Sequence, residues 1–136
     1  MLQIPRTSDT PFVRTDFSDE RVWQELTAAV GRETEEGFRA SISTVNDVGF
    51  SGASVRDLAR SAAGAAAHRL LLVADETTIR QDEWPILCID LLSPERSIRV
   101  VPGALWEIEN NLTLGNMDFD DFVHAAGSDE IFRGFT

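Results

Sequence analysis

Five consecutive apolar residues, Leu70-Leu-Leu-Val-Ala74, constrain this chain more than any other feature. Side chains alternate between the two faces of a strand, so a run that is apolar at every position needs cover on both sides. Its length predicts a central strand rather than a buried helix. Ile86 to Leu92 repeats the pattern, and Ser93-Pro-Glu-Arg96 makes a short turn into Ile98, Val100 and Val101. A turn that short predicts antiparallel pairing, because a parallel return needs a longer crossover.

Upstream, residues 1–10 read as irregular and Pro11 to Asp16 as a short strand. Ser18 is the expected cap of the next helix, with Phe17 and Val22 at staple positions and Val22, Trp23, Leu26 and Val30 on one apolar face. Gly31 is its natural terminator. Phe38, Ala40 and Ile42 alternate with Arg39, Ser41 and Ser43, which predicts a half-buried strand. Ser54 caps a second expected helix, with Val55 and Leu58 inward. Gly64 is its expected end, although the alanines at 65–67 are helix formers that allow a later one.

Thr77-Thr-Ile79 reads as a small edge strand. Pro102-Gly103 opens a third helix with Leu105, Ile108 and Leu112 on one side and Gly115 at its end. Asp118 caps the last helix, with Asp121 in its positive first turn. Phe119, Phe122, Val123 and Ala126 are its expected buried stripe, onto which Ile131, Phe132 and Phe135 fold back. The expected fold is α/β or α+β: a mixed sheet of about five strands in the order β-α-β-α-β-β-β-α-α, covered by helices. The first half is expected to be parallel through right-handed crossovers.

A chain of 136 residues fits one domain spanning residues 1–136. It carries twenty-three acidic and twelve basic residues, a formal charge of −11, which argues against nucleic acid and against an anionic membrane surface. A basic protein partner fits that balance. Lys is absent, and Arg does not lose its proton, so Schiff-base chemistry and a lysine base are excluded. Cys88 has no partner for an internal disulfide. With no secretory leader and no run long enough to span a bilayer, a cytoplasmic setting is expected.

The chain contains no phosphate-cradling loop with Lys, no GxGxxG, no paired Cys and no nucleophile elbow. Two constellations remain. Asp16 and Asp75 each follow a predicted strand, and open α/β sheets bind ligands at that edge. On neighbouring parallel strands they would offer hard oxygen ligands to Mg²⁺ for hydrolysis or phosphoryl transfer. Equally, Asp16 can stabilise the following helix and Asp75 can begin a turn. The second constellation is Trp106, Glu107, Asn110, Asn111 and Asn116. An indole offers a large contact area and amides offer both donors and acceptors, the chemistry of a partner-binding surface. The same residues can instead pack a domain edge and tie down a connection. Asp118, Asp120 and Asp121 lack the alternation and central Gly of a calcium loop. His68 reads as a loop residue and His124 as a surface one.

Five segments carry a resemblance: Arg14-Thr-Asp-Phe-Ser18, Leu72-Val-Ala-Asp75, Arg99-Val-Val-Pro102, Phe132-Arg-Gly-Phe135, and above all Trp106-Glu-Ile-Glu-Asn-Asn-Leu-Thr-Leu-Gly-Asn-Met-Asp-Phe119. Through them the chain resembles a small actinobacterial protein family of unassigned function, over nearly its whole length. The resemblance implies a bacterial cytoplasmic setting and one continuous domain, and it carries no catalytic residue. Three functions are therefore expected in order: a non-catalytic binding or regulatory protein, a Mg²⁺-assisted enzyme using Asp16 and Asp75, and an accessory domain of a larger system.

Overall fold

Leu70–Ala74 forms a strand with those bounds at the centre of the computed structural model, which describes residues 3–63 and 68–135. The elements run β1 (Thr10–Arg14), α1 (Glu20–Val30), β2 (Ile42–Val45), α2 (Val55–Ala63), β3 (Leu70–Ala74) and α3 (Glu76–Arg80). They continue with β4 (Ile86–Asp90), β5 (Ser97–Val100), α4 (Leu105–Thr113), α5 (Phe119–Ala125) and β6 (Ile131–Phe132). Among the described residues six strands join one mixed sheet in the order β2-β1-β3-β4-β5-β6. β1 pairs in parallel with both β2 and β3, β4 runs antiparallel to β3 and β5, and β6 is parallel to β5.

The consecutive apolar run is explained by two cores. Leu70, Leu72 and Ala74 face a first layer built from α1, α4 and α5, where Trp23, Leu26, Ile108, Phe119 and Phe122 are buried. Leu71 and Val73 face a second, smaller layer with Leu58 and Ala62 of α2, Phe50 and Ile4. The Ile4 N–H donates to Ser61 Oγ at 2.7 Å, which fixes the incoming chain on that layer. Each fully buried Leu contributes roughly 2 kcal/mol of hydrophobic stabilisation. Among the described residues no helix is long and apolar enough to cross a membrane.

Several local expectations are corrected. Asp19, not Ser18, caps α1: the Val22 N–H donates to its Oδ1 at 3.1 Å, while the Ser18 N–H turns back to Asp16 Oδ1 at 2.9 Å. The strand expected from Phe38 begins only at Ile42, and Phe38 is 47% exposed. Val55 and Val123 are exposed rather than inward. The expected end of α2 at Gly64, and its continuation through residues 65–67, lie outside the described residues.

Thr77-Thr-Ile79 lies in helix α3, not in a strand. Asp75 accepts the Thr78 N–H at 3.1 Å and donates its own N–H to Thr78 Oγ1 at 3.2 Å, while the buried Thr78 hydroxyl reaches Pro85 O at 2.9 Å. These bonds outweigh a β-branched preference that spans under 1 kcal/mol or so per residue. The chain end adds a sixth strand where only a folded-back tail was expected: the Val101 N–H donates to Phe132 O at 3.2 Å.

Candidate functional site

The strand order reverses between β1 and β3. The chain leaves β1 for β2 through α1, then returns past β1 to β3 through α2, with the two helices on opposite faces. Such a switch point leaves a crevice at the carboxyl ends of the strands, where ligands of open α/β sheets bind. Asp16 and Asp75 follow the ends of these neighbouring strands, where the Thr15 N–H donates to Ala74 O at 3.0 Å.

Their carboxylates turn to different partners. Asp75 holds Arg99 of β5 in a two-pronged pair, Nη1 to Oδ1 at 2.9 Å and Nη2 to Oδ2 at 2.7 Å, and Arg99 also donates to Pro85 O at 3.1 Å. Asp16 folds onto Ser18. Beside it Arg14 is buried. Its guanidinium lies 4.3 Å from the Phe17 ring centre and 4.8 Å from Trp23, and donates to Asp16 O, Glu20 and Asn46. Among the described residues no three His, Cys, Asp or Glu side chains converge as a metal site.

Burial acts to raise the Asp75 pKa, but the bonds and charge of Arg99 with the Thr78 bonds outweigh it and hold the carboxyl below its usual value. A depressed folded-state pKa means the unfolded chain binds the extra proton. The pair therefore stabilises fully above the ordinary aspartate pKa, and that contribution fades as pH falls through the lowered value. Urea titrations of the wild type and Asp75→Asn should differ by about 1–3 kcal/mol at neutral pH, converging in acid. A gap that is unchanged by acid would show that the charge pair contributes nothing.

Other reactive groups are withdrawn or exposed. Burial pushes the Cys88 thiol far up, so it stays protonated near neutrality. His68 Nε2 lies 3.0 Å from Thr7 O, and His124 is exposed on α5. At the start of α5 the Asp118 N–H donates to the Asp121 carboxylate at 2.9 Å, and Asp120 pairs with Arg96.

The second constellation forms a shelf on the first layer. Trp106 is half-buried and stacks on Phe38, ring centres 4.8 Å apart and planes within 8°. Trp106 lines a cavity of about 230 Å³ with Val30, Arg32, Glu33 and Pro102. The loop presenting Phe38 is closed on itself: Thr34 N–H donates to Phe38 O at 2.8 Å, Phe38 N–H to Thr34 Oγ1 at 3.0 Å and Gly37 N–H to Thr34 O at 2.9 Å. Gly37 has φ +90°, a conformation other residues rarely adopt.

The polar members near Trp106 serve the fold. Glu107 Oε2 accepts the Phe135 N–H at 3.1 Å, pinning the chain end. Asn111 donates to Glu107 O at 2.8 Å, and Asn110, with its amide oriented to satisfy both atoms, donates to Arg39 O at 3.2 Å. Asn116 is exposed and its backbone N–H bonds Asn111 O.

Four residues of these sites escaped the sequence reading: Arg14, Arg99, Phe38 and Glu109. Glu109 is only 2% exposed and accepts from Ser41 N–H at 2.6 Å, Thr10 Oγ1 at 3.0 Å and Thr113 Oγ1 at 2.8 Å. It has no cationic partner among the described residues. Its sequence signal is spacing: four positions after Leu105 and three before Leu112, it shares their helix face.

A family model described as "Domain of unknown function (DUF6924)" matches residues 9–135. No curated protein matches the chain.

Proposed function

Since the chain belongs to the DUF6924 family, whose description carries no activity, we propose its role from geometry: a non-catalytic module that binds a protein partner. The observation that carries this reading is the Phe38–Trp106 stack, with Phe38 left 47% exposed by a loop that spends three hydrogen bonds to hold it there. A preorganised aromatic pair supplies contact area with little ordering cost on association. The same loop exposes Glu33, Glu35 and Glu36, so the fitting partner presents an apolar side chain flanked by basic ones. The setting we infer is a bacterial, actinobacterial cytoplasm, from the resemblance carried by the five segments named above.

The engaged state of the carboxyl edge also favours this reading over a Mg²⁺-assisted hydrolase or phosphoryl-transfer enzyme. A metal at Asp75 would have to displace Arg99 from both oxygens. The placement of Asp16 and Asp75 at the switch point is what keeps that second reading alive.

Short peptides that flank Leu, Ile or Phe with Lys and Arg test the proposal directly. Titrated into isotope-labelled protein, they are expected to shift the Trp106 indole signal and the amides of residues 33–38, less so at high salt. Phe38→Ala and Trp106→Ala should each weaken that binding at least about tenfold, the loss expected of an interface anchor. Peptides that move no signal on this shelf, or variants that bind as well as the wild type, would reject it.

A further inference from the structure

We propose that the edge strand β2 pairs antiparallel with β2 of a second copy of this chain, joining two sheets into one. The proposal is independent of the aromatic shelf and rests on how differently the two edges of the sheet are built.

The far edge is guarded. β6 is two residues long, preceded by Asp129 and Glu130 and followed by Arg133, which is ion-paired to Glu83 and Asp129. Short edges and charged flanks block strand addition. β2 is longer, and no charge lies within the segment. Ala40 to Val45 carries no charge, no Pro and no Gly, in a chain of net charge −11. β-Branched, uncharged segments of this kind template pairing when left at an edge.

The ladder to β1 states which groups are free. β1 and β2 are parallel with Thr10 opposite Ile42 and Phe12 opposite Thr44, and the Thr10 N–H donates to Ser41 O at 3.2 Å. In a parallel ladder one residue bonds the two that flank its partner, so alternate residues of the outer strand turn their backbone groups away. Ile42 and Thr44 therefore offer both N–H and C=O to the open edge.

A two-fold axis at Ser43 uses all of them. Ile42 of each copy then faces Thr44 of the other, giving hydrogen-bonded pairs on both sides of a Ser43–Ser43 pair. The same register places Arg39 of each copy opposite Asp47 of the other, so two charge pairs close the ends. Arg39 and Asp47 are exposed, and Arg39 has no ion-pair partner among the described residues. Asp47 spends Oδ1 on the Gly49 N–H and keeps Oδ2 free. Sliding two residues either way keeps Ile42 or Thr44 at the edge but removes both charge pairs. Charge complementarity thus selects this chain as its own partner, in one register.

Sedimentation of the full chain should give about twice the 15.0 kDa monomer mass. Thr44→Pro removes only an outward N–H, a position where an edge strand tolerates proline, and is expected to raise the dissociation constant at least about tenfold with the circular dichroism spectrum retained. Arg39→Asp and Asp47→Arg should each weaken the dimer, and the double swap should restore it, a coupling that a general loss of stability does not produce. This swap series decides the matter if Thr44→Pro does not fold. A monomeric mass at every concentration, a dimer indifferent to Thr44→Pro, or swaps that fail to rescue one another would overturn the proposal.

Discussion

Glu109→Ala is expected to remove about 1–3 kcal/mol of unfolding free energy. Its carboxylate takes four protein donors: the backbone of Ser41 before β2, the hydroxyl of Thr10 in β1, Thr113 on its own helix, and the Asn110 amide at 3.0 Å. Truncation leaves the buried Thr10 hydroxyl without this acceptor, at a cost of about 1–3 kcal/mol, while Ser41 and Thr113 are exposed residues whose groups can turn to water. Glu109→Gln keeps the shape and one acceptor oxygen, so it should cost less, but its amide nitrogen meets donors with a donor. Urea unfolding of both variants gives the order directly. An alanine variant within about 0.5 kcal/mol of the wild type would mean that the donors find water or one another.

Phe132→Ala should cost more, about 3–5 kcal/mol, for a different reason. The ring is fully buried, 5.2 Å from Phe122 and 5.0 Å from Phe135 centre to centre, and its removal leaves a cavity under α5. It also loosens β6. β6 meets β5 through the Arg99 N–H to Glu130 O and the Val101 N–H to Phe132 O, at 3.1 and 3.2 Å. Hydrogen exchange at the Arg99 and Val101 amides should accelerate beyond the change in global stability. Phe135→Ala, at a ring that is 47% exposed, serves as the mild control and should cost under about 1 kcal/mol. Equal losses from the two would place the anchor at the wrong residue.

What could be read from residues alone follows from how local each cause is. Leu70–Ala74 announced itself because a consecutive apolar run has few solutions, and its bounds hold to the residue. α5 was legible for the same reason, since its cap and buried Phe residues lie within a few positions of each other. Thr77-Thr-Ile79 misled because its β-branched preference was visible, while the buried acceptor of Thr78 sits beyond the next turn at Pro85. β6 was invisible because two residues have no period to detect. Phe38 extended an alternating pattern that its real contact, Trp106 in a distant helix, does not respect.

The same division applies to the sites. The edge position of Asp16 and Asp75 could be read from strand ends, and β1 and β3 are parallel neighbours with Arg14 opposite Ala74. Their partners could not: Arg99 reaches Asp75 from the far side of β4, and only the strand order makes them neighbours. Glu109 was readable in principle. It occupies an inward helix position, where a charged side chain needs buried polar partners.

Because β3 feeds one packed layer with its even-numbered side chains and the other with its odd-numbered ones, residues joined by a single peptide bond answer to separate neighbourhoods. Leu72 is coupled to the three-helix side and Leu71 to the thinner side that α2 and the Ile4 segment close. The thinner side can loosen while its opposite stays shut, since its closing segments hold few partners in common with α1, α4 and α5. The central strand is thus a party wall, with a separate set of tenants on each side.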